Sequence, residues 1–169
     1  MQILAFLIAA VLVAADQWIK FWAYQVLLPV GTMPLIPNVF SLTYVENYGA
    51  AFSILQNKQL FLIIMTSIFL VVVAYLMLKK TKGNRLFLAS LTLILAGGLG
   101  NLIDRVFRGF VIDYIQFLPF DFPIFNFADC CVVVGTILFM LYIVLDEIRM
   151  SREHRKLGHS ENTPSKTEE

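Results

Sequence analysis

The sequence predicts an all-α membrane protein: a four-transmembrane-helix bundle that carries a small extracytoplasmic β-sheet cradle lying on the membrane. Three observations predict it. Of the 169 residues, 59% are hydrophobic and 15% charged, against about 45–50% and about 25% in an ordinary soluble domain. A chain this short buries only about two-thirds of its unfolded surface when it folds, so the excess apolar surface needs lipid as its solvent. Several uncharged runs approach the roughly 20 residues that a helix needs to cross about 30 Å of hydrocarbon. One connection between them alternates apolar and polar residues, as a half-buried strand does.

Taken in order, the first span covers about 3–25, where Ile3 to Ala15 is uncharged and apolar residues resume after Asp16 and Lys20 as far as Leu28. Val13-Ala14-Ala15 has the small residues of a signal cleavage site, but no basic segment precedes the apolar run and no polar domain follows it, so an uncleaved span is expected. Pro29, Pro34 and Pro37 keep the next segment extended. The β region is expected over about 39–55, because Val39-Phe40-Ser41-Leu42-Thr43-Tyr44-Val45-Glu46 is rich in β-branched and aromatic residues. Open strand edges cannot sit in lipid, which puts this sheet on the outer surface, its apolar face resting on the membrane or its helices. Leu60 to Leu78 and Leu86 to Ile103 are uncharged and give spans at 60–78 and 86–103. The fourth span covers 126–146. Residues 1–150 then form one transmembrane domain, and 151–169 is polar enough to be expected as a disordered cytoplasmic tail.

Lys79, Lys80, Lys82 and Arg85 lie between spans two and three, and Arg149, Arg152, Arg155 and Lys156 follow span four, whereas 29–59 carries only Lys58. Positive residues mark the cytoplasmic side. Both termini are therefore expected in the cytoplasm, and the two other connections outside.

A formal net charge of +1 supplies no field for neutralising phosphates, so nucleic acid is not expected as a partner. Cys130 and Cys131 are adjacent and have no ligand spacing, and His154 and His159 both sit in the tail. No metal site is expected.

What remains for chemistry is a set of acids and amides where a bilayer disfavours them. At ~1.5 Å per residue, Asp16 lies about 20 Å from Ile3, Asn101 about 22 Å from Leu86 and Asp129 about 24 Å from Leu145. With Asp113 in the outer connection, they converge on one depth. Each also has a plainer reading: Asp16 and Lys20 pair at i,i+4, Asn101, Asp104 and Arg105 close a span, Gly97, Gly98 and Gly100 let helices approach, Asn47-Tyr48-Gly49 forms a turn, and Asp129 caps span four. Two neighbouring carboxylates that share a proton can activate water and polarise a carbonyl. Two helix ends at one face can bring Asp113 and Asp129 together for this. From spacing alone, an ion-coupled transporter built around Asp16 stands equally open, although no internal repeat supports it.

The motifs resemble those of lipoprotein signal peptidase, or signal peptidase II, the bacterial aspartyl protease family A8. They are Asp16-Gln17-Trp18-Ile19-Lys20, Asn47-Tyr48-Gly49-Ala50-Ala51-Phe52, Gly97-Gly98-Leu99-Gly100-Asn101-Leu102-Ile103-Asp104-Arg105, Val111-Ile112-Asp113-Tyr114-Ile115 and Phe125-Asn126-Phe127-Ala128-Asp129. The resemblance implies a bacterial cell-membrane endopeptidase that cleaves diacylglyceryl-modified prolipoproteins on the amino side of the lipidated cysteine. It implies Asp113 and Asp129 as the catalytic pair, with Asn47, Gly49, Asn101, Arg105 and Asn126 around substrate and dyad. Asp16 and Lys20 match a structural polar pair, to which Asp104 is added. It further implies no cofactor, and a monomer surrounded by membrane lipid, with its active site towards the outer leaflet, is expected.

The orientation can be measured with reporter fusions. A fusion after Lys156 should report from the cytoplasm and one at Asn57 from outside; the reverse pattern would overturn the expected topology.

Overall fold

The computed structural model of the chain describes residues 1–49, 55–79, 84–120 and 122–161, with side chains as far as Arg152. Within these residues the order is α1 (Gln2–Val30), β1 (Thr32–Ile36), β2 (Phe40–Asn47), α2 (Gln59–Leu78), α3 (Arg85–Phe107), β3 (Val111–Phe117) and α4 (Phe127–Glu161). All four helices are long and apolar enough to cross a membrane. Their apolar side chains point outward as well as inward, with Ile3, Val11, Leu60, Val71 and Ile137 all more than half exposed. That is the pattern of a bundle whose solvent is hydrocarbon.

The buried residues of α1 are Ala5, Ala9, Asp16, Lys20, Ala23 and Leu27, a single face at three- and four-residue spacing. Its ends are apolar and its middle is ionic. The helix runs further than the expected 3–25 and takes Pro29 into its last turn before Gly31, at φ 81, ends it. α3 is the central helix, packed against α1, α2 and α4. Asn84 caps it by accepting from the Leu86 and Phe87 N–H groups at 2.9 and 3.3 Å, and it extends one turn beyond the expected end at 103, carrying Asp104 and Arg105 within it.

The close approach of α3 and α4 depends on missing side chains. A Cβ on Gly97 would run into the Ala128 carbonyl oxygen, and one on Gly135 would lie 2.8 Å from the Ser90 carbonyl oxygen. A Cβ on Gly100 would lie 2.5 Å from Asp16 Oδ2. The glycines thus let α3 and α4 come together and leave room for an acid from α1.

The sheet is antiparallel in the order β1-β2-β3. Pro34 sits on edge strand β1, where a missing N–H is tolerated. Ile112 and Tyr114 of β3 pack on Ala23 and Leu27 of α1, which fixes the sheet to one end of the bundle. The strand β3 falls in a connection not read as strand from sequence, because Val111-Ile112-Asp113-Tyr114 is buried on both faces and lacks alternation. Asp113, expected in the outer connection, is therefore a strand residue within it.

A second correction concerns the C-terminus. The tail from 151 was expected to be disordered, but α4 continues to Glu161; no proline or glycine interrupts the sequence between Gly135 and Gly158, and a helix already formed extends at little cost. Residues 50–54, including Ala50, Ala51 and Phe52 of the second motif, lie outside the described residues, as do Lys80, Lys82, Asp121 and 162–169.

Glycine substitutions separate backbone contact from side-chain contact. Gly97→Ala meets a carbonyl oxygen and should cost about 1–3 kcal/mol, whereas Gly98→Ala meets only the end of the Leu70 side chain and should cost less. Thermal midpoints in detergent test this order, which equal losses would contradict.

Candidate active site

The ammonium of Lys20, fully buried, lies 2.9 Å from Asp16 Oδ2, 2.9 Å from Asp104 Oδ2 and 2.8 Å from Asn101 Oδ1. Its three donors thus reach three acceptors, as a buried charge requires. Gln17 Nε2 donates to Asp16 Oδ2, the Gly100 carbonyl and Asp104 Oδ1 at 3.0–3.2 Å. Arg108 pairs with Asp104, and Asp104 Oδ2 also accepts from the Ile112 N–H at 3.3 Å. Two acids and two bases from α1 and the end of α3 neutralise one another, and through Ile112 they reach β3.

The start of α4 is held by side chains from other elements. The Phe127 N–H donates to the Tyr114 hydroxyl at 3.1 Å, and the Ala128 N–H donates to Asp16 Oδ1 at 3.1 Å. The Asp129 N–H donates to Asn126 Oδ1, and the Asn126 N–H donates to Asp129 Oδ2, both at 3.0 Å. This reciprocal pair is a capping box. Asn126 is the cap, and Asp129, expected as the cap, stands three residues inside. Its other oxygen, Oδ1, accepts from Asn101 Nδ2 at 2.8 Å.

Asp113 is brought to Asp129 by a two-way backbone bridge between Ile115 and Phe125, with N···O distances of 2.8 and 3.0 Å, which lays the residue before Asn126 against β3. Asn126 Nδ2 then donates to Asp113 Oδ1 at 2.6 Å and to Asn101 Oδ1 at 3.1 Å. Asn47, diagonal to Asp113 across β2 and β3, donates from Nδ2 to Asp113 Oδ2 at 2.9 Å. Burial, with the Asp129 charge adding to it, pushes the Asp113 carboxyl up to about 7.

Gly49 closes a turn by donating its N–H to Asn47 Oδ1 at 2.9 Å, and its carbonyl accepts from Arg105 Nη2 at 3.1 Å. Arg105 Nε is buried with no hydrogen-bond partner among the described residues.

All ten residues singled out in the sequence therefore meet at one end of the bundle. Asp16, Lys20 and Asp104 form the ionic cluster; Asn101 and Asn126 connect the two aspartates, and Asn47 holds Asp113 from β2; Gly49 and Arg105 form the side nearest β2. Sequence reasoning missed three contributors. Gln17 stands beside the more conspicuous Asp16, Arg108 is signalled only by its place four residues after Asp104, and the Tyr114 hydroxyl gives no signal without its strand. Among the described residues no cluster of metal-ligating side chains occurs.

The family profile described as signal peptidase (SPase) II matches residues 8–145. The chain belongs to the signal peptidase II family. A lipoprotein signal peptidase of Enterococcus faecalis is 44% identical over 142 residues, covering 84% of this chain and 88% of the relative. Another, from Caldanaerobacter subterraneus, is 47% identical over 135 residues, 80% of this chain and 92% of the relative. The fold is similar to a bacterial membrane enzyme solved in meso at 2.3 Å, with a TM-score of 0.78 and 36% identity over 85% of this chain and 88% of that one. In this signal peptidase II chain, the matched segment spans the whole polar cluster.

The raised carboxyl predicts how stability depends on pH. Between the ordinary 3.8 and about 7, folded Asp113 keeps a proton that the unfolded chain gives up, so this group's contribution to stability falls as pH rises through that window and is level above it. The thermal midpoint of the wild type minus that of Asp113→Asn should decline from pH 4 to 7; a flat difference would remove the assigned environment.

Proposed function

We propose that Asp113 and Asp129 are the catalytic pair with which this signal peptidase II removes signal peptides from diacylglyceryl-modified prolipoproteins. The observation that carries the reading is the convergence of two carboxylates from different elements onto one amide, Asn126, in a setting that keeps one of them protonated near neutral pH. Asp129 stands in the first turn of α4, where the helix dipole favours negative charge, and two N–H donors hold its oxygens. We assign it the anionic role. It takes a proton from the attacking water while Asp113 donates its proton to the oxygen of the scissile carbonyl, and the tetrahedral product collapses by passing a proton to the leaving amine. Asn47, Asn101 and Asn126 keep the two carboxyls at fixed orientation, and Arg105 Nε, unpaired among the described residues, is a donor for the substrate backbone.

The site lies at the end of the bundle that carries the sheet. The excess of Lys and Arg at the other end supports an outer-leaflet position, with both termini cytoplasmic. A diacylglyceryl-cysteine suits that depth, since its chains stay in lipid while its peptide bond reaches the polar cluster, and each methylene kept from water is worth about 0.8 kcal/mol. A single copy holds every group named here, which supports action as a monomer.

Cleavage of one lipidated precursor by purified protein tests the pair. Asp113→Asn and Asp129→Asn should each lower kcat/KM at least about a thousandfold, and the double variant should be little worse, because members of one catalytic unit are not additive. Unlipidated precursor should be a poor substrate. A folded single variant that cleaves at near the wild-type rate would remove its aspartate from the mechanism.

A further inference from the structure

Away from the two aspartates, a cavity of about 390 Å³ opens at the sheet-bearing end, lined by Phe21, Tyr24, Gln25, Arg108 and Phe110. Phe21, Tyr24 and Gln25 share one face of α1 at i, i+3 and i+4. Arg108 and Phe110 flank Gly109, whose φ of 80 turns the chain out of α3 towards β3. We propose that this cavity binds the phosphodiester headgroup of a membrane phospholipid.

Depth is the first support. At ~1.5 Å per residue Phe21 lies about 27 Å and Gln25 about 33 Å along α1 from Ile3, which is the edge of a hydrocarbon layer about 30 Å thick. Trp18, Trp22 and Tyr24 are exposed at the same level, as belt residues are at a headgroup boundary. Chemistry is the second support. Among the described residues Arg108 makes its hydrogen bonds to Asp104 and Gln17 through Nη1, so Nε and Nη2 keep donors for the cavity. A guanidinium fork suits two phosphate oxygens, and Gln25 adds an amide donor. The nearby acids leave these donors open: Asp104 takes Nη1 of Arg108 and is shared with Lys20, and Glu46 is held by the Tyr44 and Tyr48 hydroxyls at 3.2 and 2.7 Å. Aromatic walls accommodate the glycerol and first acyl carbons.

Arg108 also ties the cavity to the catalytic cluster, since Asp104, Lys20, Asn101 and Asp129 follow it in an unbroken sequence of polar contacts. The site nevertheless stands independently of the dyad, so binding can be read on Asp113→Asn as well as on the wild type.

The test is native mass spectrometry of delipidated protein in detergent, titrated with dihexanoyl phosphatidylglycerol, with the matching diacylglycerol and with inorganic phosphate. The phospholipid should bind saturably, at least about tenfold more tightly than either control, as expected for a paired guanidinium and phosphodiester. Arg108→Gln should lose that preference. Because Arg108 also pairs with Asp104, Gln25→Glu serves as the second variant: it alters an exposed α1 side chain, should leave the lipid-free thermal midpoint unchanged, and should weaken phospholipid binding by a similar factor. Equal binding of diacylglycerol, or unchanged affinity in Gln25→Glu, would overturn the proposal. Inorganic phosphate binding as tightly as the lipid would overturn its lipid source.

Discussion

The structure depends on one buried cation. Lys20 joins α1 to α3 through Asp104 and Asn101, and with Asp16 it forms the ionic middle of an otherwise apolar helix face. An ammonium in hydrocarbon is costly, and removing one partner from a buried pair typically costs about 3–5 kcal/mol. The cluster is therefore an all-or-none arrangement in which each member requires the others. Asp16 extends it further, since one oxygen accepts from Lys20 while the other caps the Ala128 N–H. The same acid that neutralises the lysine sets where α4 begins.

That placement reaches the two aspartates. The position of Asp129 follows from the first turn of α4, whose N–H groups go to Tyr114, Asp16 and Asn126, one from β3, one from α1 and one from its own cap. The position of Asp113 follows from β3, which the Ile115–Phe125 bridge ties to the chain just before that cap. Asn126 sees both. Its backbone N–H holds one carboxylate and its side-chain amide holds the other, so one residue transmits the geometry of a helix end to a strand. The substitutions that disturb this site extend well beyond the pair itself, to the glycines that let α4 approach α3.

Electrostatics separates the cluster into two halves with different work. Around Lys20, opposite charges balance and the groups are structural. Around Asp113, two carboxyls face only amides and one guanidinium at the side, and burial with like charge holds a proton near neutrality. Both halves lie at one depth: the balanced half makes polar residues affordable in lipid, and the unbalanced half holds the two carboxyls proposed for the chemistry.

Much of this was legible in the residues. Uncharged runs of membrane length determine four spans because hydrocarbon leaves a backbone no alternative to helix, and acids and amides recur at one depth because a bilayer confines them there. Asp16 with Lys20 could be read as a pair from i,i+4 spacing. What spacing could not decide was whether Asp16 or the Asp113 and Asp129 pair was the site of chemistry, since both stand at the same level. The tertiary structure gives them different settings, closing Asp16 against Lys20 and α4 and setting Asp113 beside Asn126. Strand β3 was likewise invisible, because its burial on both faces removes the alternation by which strands are recognised. The reason is general to this chain: solvent acts on each residue separately and so writes spans and depth into the sequence, whereas hydrogen bonds between residues as distant as Asp16 and Ala128 exist only once four elements have come together.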